Sequence, residues 1–237
     1  MSAEEPGLTF GVAAAAYERG RPEWPPELLD AIPLDSGATV VELGAGTGKL
    51  TRRLVRRYAR VVAVEPDASM RARIDVGEPL AGRAEAIPLG DASVDGVFVA
   101  EAFHWFELPF AVREIARVLR PGGVLALLWN RYEPEDHVLP DGVIPESTSA
   151  KRRRFRTGEW RDAFREMPFE PFRELALEQR RDVPREELLD YFASISLVTA
   201  LGPSERAATL ERVAAALVRP SYPRRWAATL YWTRRAA

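Results

Sequence analysis

The chain has 237 residues, 46% hydrophobic and 29% charged, with a formal net charge of −2 at pH 7. That length supports one large core or one core with a cap, and the near-neutral balance gives no global pull toward nucleic acid or a membrane surface. Cysteine is absent, which removes disulfides, thiolate metal sites and cysteine nucleophiles together. With His104 and His137 as the only histidines, no metal site is expected. No cationic leader precedes a long apolar run, and no stretch approaches the roughly 18 consecutive apolar residues of a spanning helix, so a cytoplasmic protein is expected. Lys49 and Lys151 are the only lysines against many arginines, a coding bias that lowers the weight of any arginine cluster.

In chain order, residues 38–43 (ATVVEL) read as a short buried strand. Leu50, Leu54 and Tyr58 then recur at helical spacing, predicting a helix over 47–58. Residues 60–65 (RVVAVE) form a second strand, and Pro66 and Asp67 open a short helix through Ile74, giving a βαβ unit. Residues 93–101 are a further strand, 109–120 an amphipathic helix stopped by Pro121-Gly122-Gly123, and 124–130 (VLALLWN) a fully apolar strand. Strands apolar on both faces suit a parallel sheet covered by helices, and the crossover rule favours a doubly wound α/β architecture. Residues 131–160 are charged and contain proline, with little periodicity, and read as an insertion or lid. Beyond it a strand is predicted at 171–182, helices at about 184–194 and 204–218, and a closing strand at 224–235.

In such a sheet a ligand lies beyond the carboxyl ends of the strands, which places the glycine-rich turn of residues 40–50 (VVELGAGTGKL) where a cofactor would sit. A phosphate-gripping P-loop fails, because Leu43 stands at its first glycine and Leu50 at its metal-binding hydroxyl. A dinucleotide fingerprint fits Gly44 and Gly46 but meets Lys49 at its third position, leaving an NAD-dependent reductase as a poorer alternative. The third pattern is E-x-G-x-G-x-G, carried by Glu42, Gly44, Gly46 and Gly48, with an acid, Glu65, at the end of the next strand.

This third pattern resembles class I S-adenosylmethionine-dependent methyltransferases with a type 11 methyltransferase domain. The likeness continues through residues 82–106, similar to that superfamily's third and fourth strands, and through 114–130, similar to its helix and fifth strand. Residues 16–25 (AYERGRPEWP) resemble the Tyr-x-x-x-Arg-Pro-x-Tyr-Pro element of the trans-aconitate methyltransferase-like subset, with Trp24 in place of the tyrosine. The resemblance implies a Rossmann-like, seven-stranded, mostly parallel sheet with helices on both faces and a cap after the fifth strand. One domain over 1–237 would comprise an N-terminal lid (1–35), a cofactor core (36–130), an insertion (131–170) and a C-terminal part completing the sheet (171–237).

S-adenosylmethionine presents a ribose diol, a neutral adenine and a zwitterionic tail, but no phosphate. Glu65 suits the diol, and the glycines let main chain approach the ligand closely. By resemblance Glu42, Gly44, Ala45, Gly46, Gly48, Pro66, Met70 and Glu101 join Glu65 around the cofactor, with Ala84, Glu85 and Ala86 near the adenine. Arg83 stands there where an aspartate is common. Tyr17 and Arg21, four apart on a predicted helix, would close over the cofactor's carboxylate. His104 is the candidate catalytic residue. Glu101-Ala102-Phe103-His104 is not the Asn/Asp-Pro-Pro-aromatic arrangement of amino-methylating DNA enzymes, so a small-molecule acceptor is expected rather than nucleic acid. The resemblance to the trans-aconitate-type subset, the arginine run at 151–156 and the absence of any strong general base apart from His104 point to a small carboxylate or other anionic metabolite as acceptor, with a hydroxyl or amine as the rival. A non-catalytic cofactor-binding or assembly protein remains the alternative.

Overall fold

The structure, a computed structural model, describes residues 13–132, 138–144 and 157–236. The insertion predicted at 131–170 is therefore described only in part, and the arginine run 151–156 lies outside the described residues. Contacts divide the chain into two compact units.

The larger unit comprises Glu23–Trp129, Ser149–Leu177 and Ala228–Ala237. It carries β1 to β4 and parts of β5, β6 and β7, and the seven strands run in the order β3-β2-β1-β4-β5-β7-β6. These are β1 (Thr39–Leu43), β2 (Arg60–Val64), β3 (Glu78–Leu80), β4 (Val94–Ala100), β5 (Leu119–Tyr132), β6 (Arg173–Pro184) and β7 (Ser221–Arg234). Strands β3, β2, β1, β4 and β5 pair in parallel. The expected seven-stranded α/β sheet is present, and β1 and β2 are buried on both faces except at their first residues. Leu43 pairs with Val64, so β1 and β2 end level and the turns leaving them emerge side by side. Helices α2 (Pro26–Asp30), α3 (Thr51–Leu54), α4 (Ala68–Arg71) and α5 (Leu108–Val118) complete this unit.

Several elements differ from the sequence reading. The helix expected over 47–58 is regular only across α3, because the chain alternates i→i−4 bonds (Arg52 to Gly48, Val55 to Thr51) with tighter i→i−3 bonds (Arg53 to Leu50, Arg57 to Leu54). The third strand lies upstream of 82–106, at β3, while Arg83 to Ala86 form a turn closed by the Ala86 amide on the Arg83 carbonyl. Pro121-Gly122-Gly123 does not simply stop a helix. Strand β5 already begins at Leu119, paired with Val94, and Val124 next meets Gly96, so the Arg120–Gly123 stretch is bulged out of register.

An aromatic cluster closes one end of this core. Fully buried Phe103 stacks on Phe164 at 5.9 Å and meets Trp129 and Trp160 edge-on. Trp160 in turn packs on Phe172 and Tyr231, and the Arg161 guanidinium sits 4.4 Å from its ring centroid.

The smaller unit comprises Met1–Pro22, Asn130–Thr148 and Glu178–Ala227. It contains α1 (Ala14–Gly20), α6 (Arg185–Ser194), α7 (Ser196–Thr199), α8 (Pro203–Ala216) and the adjoining ends of β5, β6 and β7. Its own core is Val183, Leu188, Phe192, Val213, Leu217 and Tyr222, with Val138, Leu139, Val143 and Ile144 packed against it. Arg185 knits it together by donating to the carbonyls of Leu217 and Ala214. Among the described residues no helix is long and apolar enough to cross a membrane.

Because Phe103 is wholly enclosed, F103A should destabilise the protein by about 3–5 kcal/mol in urea denaturation. The same truncation at Phe110, which is 61% exposed, should stay within about 0.5 kcal/mol.

Candidate functional site

Three glycines with positive φ shape the turn after β1: Gly44 at 67°, Gly46 at 60° and Gly48 at 82°. A side chain is strained at all three, and at Gly44 it would also lie 2.7 Å from the Ala102 Cβ. At Gly46 a Cβ would meet only the tip of Met70, at 3.5 Å, so the main chain there faces open space. The amides of Gly44 and Ala45 both donate to the Val64 carbonyl, anchoring the turn to the end of β2.

Glu65 occupies the point where the two turns meet. One carboxylate oxygen accepts the Gly46 amide at 2.8 Å and the other accepts the Asp67 amide at 2.9 Å. Burial raises its pKa, and those two amide bonds oppose the rise. Asp67 caps α4 by accepting from the amides of Ser69 and Met70, which fixes Pro66 and Met70 beside the turn. Arg71 reaches back to donate to the Glu65 and Pro66 carbonyls.

Glu42, on β1, is 2% exposed and accepts the Thr51 hydroxyl at 2.5 Å. Burial pushes its carboxyl up to about 8; the Glu65 charge adds to the rise and the Thr51 hydrogen bond opposes it. The structure thus gathers Glu42, Gly44, Ala45, Gly46, Gly48, Glu65, Pro66 and Met70 at the ends of β1 and β2. Thr51 and Asp67 join them although the sequence reading did not select either. The Asp-x-Ser-Met cap signature after Pro66 was a usable signal for Asp67, whereas nothing in spacing alone pairs Thr51 with Glu42.

After β4, Glu101 holds φ at 55°, a left-handed conformation costly for a residue with a side chain. Its amide still donates to the Leu128 carbonyl, so the bend is fixed from the sheet. His104 follows in a short 3₁₀ turn, Phe103–Trp105, pinned by buried Phe103. The His104 Nδ1 accepts the Trp129 indole N–H over a long 3.4 Å, and its ring lies 4.7 Å from that of Trp105. In the 83–86 turn, Ala84 is buried and Ala86 exposed, and Glu85 accepts the Glu107 amide at 2.8 Å while Arg83 approaches it at 3.6 Å.

Tyr17 and Arg21 belong to the smaller unit. Arg21 is not on the helix as expected but is the first extended residue beyond α1, because the chain turns out at Gly20 toward Pro22. The pair still meets, with the Arg21 guanidinium 5.5 Å from the Tyr17 ring centroid and 4.9 Å from that of Tyr191. Arg21 also donates to the hydroxyl and carbonyl oxygens of Ser194.

A methyltransferase domain family model matches residues 41–127. A methyltransferase-like protein of Schizosaccharomyces pombe is 34% identical over 216 residues, 84% of this chain and 81% of that protein. The chain belongs to the class I S-adenosylmethionine-dependent methyltransferases. An uncharacterised methyltransferase of Mycobacterium tuberculosis is 52% identical over 133 residues, 54% of this chain and 55% of that protein, so the chain spans about half the length of such relatives. Among solved structures, a provisionally named type II methyltransferase from Anaeromyxobacter dehalogenans is 28% identical, with a TM-score of 0.57 over 90% of this chain and 97% of that one.

The raised Glu42 pKa fixes a pH signature. Its folded value, about 8, lies above the ordinary value of 4.5, so its contribution to stability is fully present below pH 4.5 and is lost as pH rises to about 8. E42Q should match the parent near pH 4.5 and become the more stable protein as pH climbs. At about 1.4 kcal/mol per pKa unit, the gap should reach roughly 3–5 kcal/mol by pH 8.5 in urea titrations. A constant gap across that range would refute the buried-carboxyl assignment.

Proposed function

We propose that the chain transfers a methyl group from S-adenosylmethionine to a small-molecule acceptor and releases S-adenosylhomocysteine. The observation that carries this reading is the placement of Glu65 against the Gly46 amide. Each Glu65 oxygen takes one backbone amide and can accept one further donor, which suits two adjacent ribose hydroxyls. The open space at Gly46 leaves main chain bare for close approach of the ligand. Glu42 deepens the fit. A carboxyl with a pKa of about 8 ionises more readily beside a cation, so a sulfonium ligand carrying an ammonium group favours its charged form and expels a proton on binding.

Bound there, S-adenosylmethionine would supply a methyl group already activated for transfer to an acceptor lone pair, the C–S bonding pair leaving on a neutral thioether. The leaving group is already activated, so the protein contributes alignment and exclusion of water, effects worth roughly 7–11 kcal/mol where orientation is good. An acceptor that arrives deprotonated needs no base. The His104 Nδ1 is already engaged by the Trp129 indole N–H, which favours an acceptor that needs no base. We therefore favour a carboxylate or other anionic metabolite, methylated on oxygen, over a hydroxyl or amine that requires deprotonation.

Calorimetry should detect binding of S-adenosylmethionine and S-adenosylhomocysteine, with proton release visible as a heat that varies with buffer ionisation enthalpy. NAD should not compete. G46V should abolish binding, and E65A should weaken it by about 1–3 kcal/mol, the worth of hydrogen bonds to a charged group. With labelled cofactor and a panel of small carboxylic acids, turnover should stay level through neutral pH and survive H104A. If H104A folds and binds cofactor but turns nothing over, the base-free route is wrong. Cofactor binding without turnover on any acceptor class would favour the non-catalytic alternative.

A further inference from the structure

A second site lies wholly within the smaller unit. The first half of β7 alternates exposed and buried residues, so Tyr222, Arg224 and Trp226 share its buried face. Such a face ordinarily carries apolar side chains, and a guanidinium at 5% exposure calls for a compensating anion. Among the described residues none pairs with it. Its contacts are with rings, the guanidinium carbon lying 4.5 Å from the Tyr132 centroid and 5.6 Å from that of Tyr191. The Arg224 Nε and the Trp226 indole nitrogen, two residues apart on the strand, are both buried donors without an acceptor among the described residues.

Both side chains line one small pocket that encloses about 10 Å³, room for about one water or one ligand oxygen, and otherwise opens to solvent, walled also by Tyr132, Tyr191, Leu188 and Arg181. Arg181 is ion-paired with Glu187, which also lines the pocket, so the two cancel and Arg224 supplies the net charge. Ring faces compensate a cation only in part. Two neighbouring N–H donors at an aromatic wall instead match a carboxylate on an apolar body, since the oxygens satisfy both donors and the rings cover the remainder.

We propose that this pocket binds the carboxylate of a small organic anion with an aromatic or apolar body, Arg224 and Trp226 donating to its oxygens. The proposal concerns the smaller unit alone and goes beyond the methyl-transfer reading above. Inorganic phosphate shares the charge but not the body, and Glu133, Glu135 and Asp136, outside the described residues, are carboxylates of the chain itself.

The full chain, labelled with ¹⁵N, is titrated with benzoate, phenylacetate, benzamide and inorganic phosphate while the Trp226 indole resonance, assigned with W226F, is followed. Benzoate or phenylacetate should shift that resonance and bind at least tenfold more tightly than benzamide. R224Q should lose at least tenfold in that affinity while the other tryptophan indoles keep their parental positions, which reports an intact fold. The proposal is overturned if the carboxylates leave Trp226 unmoved, if benzamide binds equally well, or if phosphate alone produces the shift. It is equally overturned if benzoate binds only to E133Q/E135Q/D136N, because the chain's own acids then fill the pocket. Failure of the methyl-transfer reading registers separately, as absent cofactor binding and turnover with the benzoate response intact.

Discussion

The contact on which the glycine turn of the larger unit depends is the hydrogen bond from the Gly46 amide to the Glu65 carboxylate. Glu65 follows the end of β2, so it can reach the turn after β1 only because the two parallel strands end in register. The turn in turn can present an inward amide only because its glycines tolerate positive φ. Remove the register or the glycines and the carboxylate has no fixed place. The same bond also binds loop to strand, so the backbone geometry of the turn and the placement of the Glu65 carboxylate are set by one interaction.

This arrangement carries an electrostatic cost. Glu42 and Glu65 are both buried at the ends of adjacent strands; burial and then the Glu65 charge make Glu42 harder to ionise, and the Thr51 hydroxyl offsets only part of that burden. A region that holds carboxyl groups with few compensating cations is poised to gain when a positive ligand enters, and such tuning concentrates at functional sites. The charges that stabilise the scaffold lie elsewhere. Arg117 bridges Glu114, Asp91 and the Ile87 and Leu89 carbonyls, and through these it fastens α5 to the loop before β4.

Much of this was legible before any coordinates. Glu42, the glycine triplet and Glu65 are close in sequence to strand ends whose apolar runs are unambiguous, so chain order alone placed them together. The short helix α3 was overread, because apolar spacing at Leu50, Leu54 and Tyr58 is blind to whether intervening hydrogen bonds are α or 3₁₀. The Pro121-Gly122-Gly123 signal marks a break in regularity, and a bulge inside a strand satisfies it as well as a helix stop does. Arg224 and Trp226 went unselected for a different reason. In an arginine-rich sequence an alternating strand gives no sign of which guanidinium faces inward, and their donors acquire meaning only once Tyr132 and Tyr191, far away in the chain, are brought around them.

Gly20 sits at the end of α1 with its α-carbon so close to α6 that an added Cβ would lie 2.2 Å from the Tyr191 amide nitrogen. Arg19 pairs with Asp190 on the same helix, at 2.6 Å. The two helices are therefore in backbone contact and cannot slide past one another by rotamer changes alone. Any displacement of Tyr17 must carry α6 with it, as a block of two helices with a shared seam. Motion of such a block belongs to the microsecond-to-millisecond range of packed elements and not to the faster range of a free terminal flap.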